Sequence, residues 1–163
     1  MSKPRLEGKI ALITGAVSGI GEEAVRLFVE NGAFVVAADV QDDLGHQVVA
    51  SIGSHRATYR HCDVRDEKEV EETVNFTLEK YGKLDILFSN AGIIGPLTGI
   101  LELDIQGFDN TMATNVRGVA ATIKHAARAW WRKTFAVPSY AQPALHLLWV
   151  EPHRMHTQFR SMH

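Results

Sequence analysis

A short apolar run, Lys9-Ile10-Ala11-Leu12-Ile13-Thr14, opens directly into Gly15-Ala16-Val17-Ser18-Gly19-Ile20-Gly21, and no other feature restricts the fold so tightly. A helical stretch follows from Glu22 to Glu30, with Ala24, Val25, Leu27, Phe28 and Val29 apolar, and Asn31-Gly32 stops it. A second apolar run, Phe34-Val35-Val36-Ala37-Ala38, ends on Asp39. The order is strand, glycine turn, helix, strand, acid. Glycines in such a turn let backbone N–H groups close on a pyrophosphate at a helix N-terminus, where the dipole favours an anion. Asp39, eighteen residues past Gly21, is placed to accept hydrogen bonds from an adenosine ribose. A glycine turn alone is weak evidence, but here a plain β-turn would leave the strand, the helix and the acid unexplained.

The alternation continues along the chain. Strands are expected over 9–14, 34–38, 57–61 and 84–89, and helices over 19–30, 42–52 and 67–81. One long or bent helix is then expected from about Gln106 to Arg132. Strands and helices in alternation define an α/β chain with a parallel sheet, right-handed crossovers and helices on both faces. At 163 residues the length suits one domain. Net charge is −2 with interspersed signs, so no basic block points to nucleic acid or a membrane surface. The one cysteine, Cys62, excludes an internal disulfide and suits a reducing compartment. No apolar run approaches a membrane span, and residues 1–8 lack the apolar centre of a signal peptide. A cytoplasmic location is expected.

The spacing Thr-Gly-x-x-x-Gly-x-Gly, starting at Thr14, resembles the short-chain dehydrogenase/reductase family, and three further motifs in order extend the resemblance. Cys62-Asp63-Val64 resembles the segment whose aspartate meets the adenine. Asn90-Ala91-Gly92 resembles the motif that closes the cofactor cleft. Asn115, within Thr114-Asn115-Val116-Arg117-Gly118, matches the helix asparagine of the catalytic tetrad. The stretch from Thr122 to Arg128 is similar to plant members. Each residue has a plainer reading: Asp63 as a cap for the helix near Glu67, Asn90 as a turn residue, Asn115 as a solvated helix asparagine.

The resemblance implies a Rossmann-type doubly wound parallel sheet of strand order 3-2-1-4 and oxidation or reduction of a secondary alcohol or ketone. It implies a dinucleotide held by Gly15, Ser18, Gly19, Ile20, Gly21, Asp39, Asp63, Val64, Asn90, Ala91 and Gly92. Asp39 is an anion where a 2′-phosphate would sit, and Ala16-Val17-Ser18 carries no cation to offset it, so NAD is expected rather than NADP. Relatives dimerise through the region of the 106–132 helix, so homo- or hetero-oligomers through it are expected.

The resemblance runs to about Arg128. Next should come a fifth strand with a serine, then Tyr-x-x-x-Lys, a phenol and an ammonium on one helical face. Tyr59, Tyr81 and Tyr140 are instead followed four residues later by Asp63, Asp85 and Ala144. No glycine occurs past Gly118, and Trp130, Trp131 and Trp149 account for all 3 tryptophans. A shifted reading frame explains the change. From the third base of the Phe135 codon, permitted codons give Gly-Ser-Ile-Ile, a serine and then Tyr-x-x-x-Lys. The unique codons of Trp149, Met155 and Met162, with Val150, His156 and His163 beside them, force Gly, Ala and Ala where that string needs them. His153, His156 and Glu151 form only a weak metal pattern, so no metal site is expected.

The expectation is therefore an incomplete NAD-binding domain over 1–132, truncated before the fifth strand, with a frame-shifted and poorly ordered tail over 133–163. Asn115 is the one surviving tetrad member. The chain by ancestry is an NAD-dependent oxidoreductase in truncated, inactive form. The alternatives are an NAD-binding module without catalysis and an interaction partner of full-length relatives.

Overall fold

The computed structural model describes residues 4–134. The readings placed on residues 135–163, the shifted frame and His153, His156 and Glu151 among them, lie outside the described residues. The chain divides into two compact units, Met1–Trp131 and Arg132–His163, and the fold below is that of the first.

Four parallel strands lie in the order β3-β2-β1-β4: β1 (Ile10–Thr14), β2 (Phe34–Asp39), β3 (Ala57–His61) and β4 (Ile86–Ser89). This is the expected order. Every residue of β1 is buried, which requires an apolar run covered on both faces. Alternate side chains separate into two cores. Ala11, Ile13, Val35 and Ala37 join Val25 of α1 (Gly19–Glu30), with Val49 and Ile52 of α2 (Asp42–Ile52) packed against them. Leu12, Val36 and Ala38 join Val70 and Val74 of α3 (Glu67–Tyr81) and, from α5 (Val119–Thr134), Ala121, Ala126 and Ala129.

Helix α3 has the ends its sequence predicts. Asp66 caps it, accepting from the N–H groups of Lys68 and Glu69, and Gly82 closes it at φ 73°. The cap is thus Asp66, and the plainer reading of Asp63 as a cap gives way.

Two elements differ from expectation. Strand β4 starts at Ile86 rather than at Leu84: Asp85 N–H still donates to the Ile10 carbonyl at 2.9 Å, but side chains take the Ile10 N–H and the Leu84 carbonyl. The Asp85 carboxylate accepts from Ile10 N–H at 2.9 Å and pairs with Lys83 at 2.7 Å, while Trp130 donates to the Leu84 carbonyl at 3.0 Å. The long helix is three pieces: α4 (Ile105–Met112), a π-helical segment Ala113–Gly118, and α5. The widened turn buries Thr114 and Gly118 and seats Gly118 on Val64, where an added Cβ would lie 2.7 Å from a Val64 methyl. A 3₁₀ turn at Ile100–Glu102 was not expected from the sequence.

Among the described residues β4 pairs only with β1, and its four residues are half-buried. No described helix is long and apolar enough to cross a membrane.

Candidate functional site

The chain runs from β1 outward to β2 and β3, then returns across β1 to β4. Where that order reverses, the loops after the strands part and leave a crevice. Here it is a cleft of about 480 Å³ beyond the ends of β1, β2, β3 and β4.

The glycine turn forms its floor. Gly15 adopts φ 62°, and a Cβ there would stand 2.7 Å from the Ala91 Cα. At Gly21 a Cβ would come within 1.8 Å of the Gly15 carbonyl oxygen. Both glycines are therefore required by the turn's own packing against α1 and against the end of β4. Gly19, at φ 50°, has nothing within 4 Å of its absent Cβ. Ser18 precedes α1 in extended conformation, and its side chain makes no capping bond to the helix.

Thr14 ties this turn to the end of β4. Its hydroxyl accepts from the N–H groups of Asn90 and Ala91 at 3.1 and 3.2 Å. The Asn90 amide returns two bonds, to the Thr14 and Gly15 carbonyls at 3.2 and 2.9 Å. Asn90 is therefore a fastener between adjacent strands.

Asp39 is the last residue of β2 and only 6% exposed. Its Oδ1 accepts from the N–H groups of Val40 and Gln41 at 2.8 and 3.2 Å and from Gln41 Nε2 at 3.3 Å. Its Oδ2 accepts from Val17 N–H at 3.3 Å, joining the acid to the glycine turn. Asp63 follows β3. Arg65 grips its carboxylate through Nε and Nη2, and this pairing holds Asp63 below the usual carboxylate range. Cys62, next to Asp63, is buried, and desolvation pushes its thiol up to about 11.

Asn115 sits in the π-helical segment and bonds to both backbone polar groups of Ile93. Of the residues expected at the site, Gly15, Ser18, Ile20, Asp39, Asp63, Val64, Asn90, Ala91 and Gly92 line the cleft. Gly19 and Gly21 shape the turn without lining it, and Asn115 acts from behind Ile93, which does line it. Sequence reasoning missed Thr14 as the fastener, and Gln41, Arg65, Asn110 and Thr114 as lining residues. For Thr14 and Arg65 a signal existed: one directly precedes the glycine turn, and the other is an arginine two residues from a site aspartate.

A profile described as short chain dehydrogenase matches residues 9–136. The chain belongs to the short-chain dehydrogenase family. The match extends past Arg128, where the motif resemblance stops. Among its short-chain dehydrogenase relatives, Short-chain dehydrogenase reductase 3b of Arabidopsis thaliana is 61% identical over 133 residues, which is 82% of this chain and 52% of that protein. Secoisolariciresinol dehydrogenase of Forsythia intermedia is 53% identical over 125 residues, 76% of this chain and 45% of the relative. The chain thus spans about half the length of these relatives. A short-chain dehydrogenase crystal structure from Brucella melitensis, a glucose/ribitol dehydrogenase, superposes with TM-score 0.74 at 29% identity, covering 78% of this chain and 54% of the other.

Proposed function

We propose that this chain is the cofactor-binding half of an NAD-dependent short-chain dehydrogenase acting on a secondary alcohol or ketone, and that as written it binds NAD without turnover. One observation carries the choice of NAD: the Asp39 carboxylate, held by three backbone N–H groups, borders the cleft at the end of β2. A ribose diol can donate to it, whereas a 2′-phosphate would meet an anion. Among the described residues lining the cleft Arg65 is the cation, and its guanidinium bonds to Asp63 and Asn110.

The cradle fits a dinucleotide. The open space over Gly19 at the start of α1 suits the pyrophosphate, and Asp63 and Val64 border the adenine end. Asn90, Ala91 and Gly92 line the wall on the β4 side. The cofactor would supply the hydride acceptor. Within these 163 residues no Tyr-x-x-x-Lys stands ready to take the proton from an alcohol. Positioned acid/base groups of that kind contribute roughly 10²–10⁴-fold.

A shifted frame over residues 135–163 accounts for the loss. Sequencing transcript and genomic DNA across residues 134–163 tests it: a second frame encoding serine and Tyr-x-x-x-Lys supports a broken copy of an active enzyme, and codons that forbid that frame exclude it. NADH fluorescence tests the binding half of the reading. Saturable enhancement with no oxidation of added alcohols supports it; no saturation rejects it.

A second reading rests on Phe108, Met112, Val116 and Ile123, which leave exposed apolar side chains from α4 through the π-helical segment to α5. It is association through this face with a second copy or a full-length relative.

A further inference from the structure

Tyr59 and His61 stand two residues apart on β3 and so share a face. Both reach Asp42, the first residue of α2. The Tyr59 phenol lies 2.7 Å from Asp42 Oδ1 and 2.8 Å from the Asp39 carbonyl oxygen, and His61 Nδ1 lies 2.8 Å from the same Oδ1. Carboxylate and carbonyl oxygens only accept, so the phenol keeps its proton. Burial and then the Asp42 bond accordingly push Tyr59 above the usual tyrosine range. Helix α2 is seated on the ring: a Cβ at Gly45 would come within 2.2 Å of it, and His46 meets it edge-on with 5.2 Å between centroids.

The other His61 nitrogen faces α3. Nε2 lies 3.8 Å from Glu69 Oε2, and that oxygen accepts from Asp63 N–H at 2.8 Å. His61 thus stands between two carboxylates, Asp42 of α2 and Glu69 of α3. Asp63 of the following loop is a further anion beside it, and His46 acts on the same Asp42. The bond to Asp42, above all, raises His61 over the ordinary histidine value.

Both acids lead to the cleft. Asp42 directly follows Val40 and Gln41, which line the cleft and whose N–H groups hold the Asp39 carboxylate. Glu69 holds the backbone of Asp63, which lines it as well. The His61 pairs are partly exposed and so add little to stability. What they fix is where two loops stand.

We infer that His61 is a positioning residue for the cofactor: in its charged form it ties the loop after β2 and the loop after β3 together at one end of the cleft. This rests on the reading that the cleft takes NAD with its adenosine beside Asp39 and Asp63. The imidazolium has two N–H groups and serves both acids at once. Neutral imidazole has one, so either Asp42 or Glu69 then faces a lone pair. NAD affinity should therefore be full while His61 is charged and fall as pH rises through its titration.

The test is calorimetric titration of the full chain with NAD at about pH 6 and about pH 8.5, on either side of a raised histidine value. It is run on the unaltered protein, His61→Ala and His61→Asn. The unaltered chain should bind about fivefold more weakly at the higher pH, within the worth of one hydrogen bond to a charged group. His61→Ala should bind weakly at both, without pH dependence. His61→Asn keeps a donor for Asp42 that does not titrate, and should recover part of the lost affinity with a flat profile. Equal affinity of the unaltered chain at both pH values overturns the inference and leaves NAD binding standing. So does a His61→Ala chain that retains the pH dependence or matches the unaltered affinity at the lower pH. No saturable binding by the unaltered chain at either pH overturns the reading of the cleft beneath it.

Discussion

The Asn115 carboxamide holds both polar groups of the Ile93 backbone, accepting from its N–H at 2.9 Å and donating to its carbonyl at 2.9 Å. The two bonds mimic one rung of a sheet. They fasten the loop after β4 to the π-helical segment, across the gap where Gly92 lies with 3.4 Å between its absent Cβ and Asn115 Oδ1.

Asn115→Ala should therefore loosen this loop with little loss of fold. Ile93 is 42% exposed, so water can replace the lost bonds, and the cost should be about 1 kcal/mol in a urea titration. Affinity for NAD should fall several-fold, since Ile93 and Gly92 line the cleft. Unchanged NAD affinity in this variant would refute the positioning role.

The glycines of the turn should separate sharply under substitution. Gly21→Ala drives a methyl to 1.8 Å from a carbonyl oxygen and should cost about 3 kcal/mol or more. Gly19→Ala meets no atom and pays only for its φ of 50°, about 1–2 kcal/mol. Denaturation midpoints of the two variants check the order, and equal losses would contradict it.

Acid should weaken the Asp63–Arg65 pair in a defined direction. The arginine lowers the Asp63 value, so the pair's contribution is present above the ordinary value of 3.8 and is lost as pH falls through the lower folded value. Asp63→Asn should flatten that part of the stability profile by removing the pair's small contribution above about pH 4, while stability at lower pH stays nearly unchanged. The same acid slope in the variant would show that other carboxylates govern it.

Cys62 should be unreactive in the folded chain. It is 3% exposed, and burial raises its thiol to about 11, so thiolate is scarce at pH 8. Iodoacetamide should label it slowly in buffer and rapidly in denaturant. Fast labelling under native conditions would mean that the β3 end opens readily.

Much of this was legible because periodicity reports burial. β1 and β2 are apolar up to their last residues, Thr14 and Asp39, and the glycine turn follows β1 at once. What could not be read was carried by single long-range bonds. The Asp85 carboxylate takes the Ile10 N–H while the Asp85 N–H keeps the Ile10 carbonyl, and β4 starts two residues late. The π-helical turn has no sequence signature of its own; it follows from the seat of Gly118 on Val64. Trp130 belongs by composition to the atypical C-terminal stretch, yet its indole satisfies the Leu84 carbonyl beside the core. Trp130→Phe should leave that carbonyl unpaired and cost about 1–3 kcal/mol.

Calorimetric titration of the purified chain with NAD and with NADP tests the central claim most directly. The account predicts saturable binding of NAD, weaker binding of NADP, and loss of that preference in Asp39→Asn. Tighter binding of NADP, or no binding of either, would contradict it.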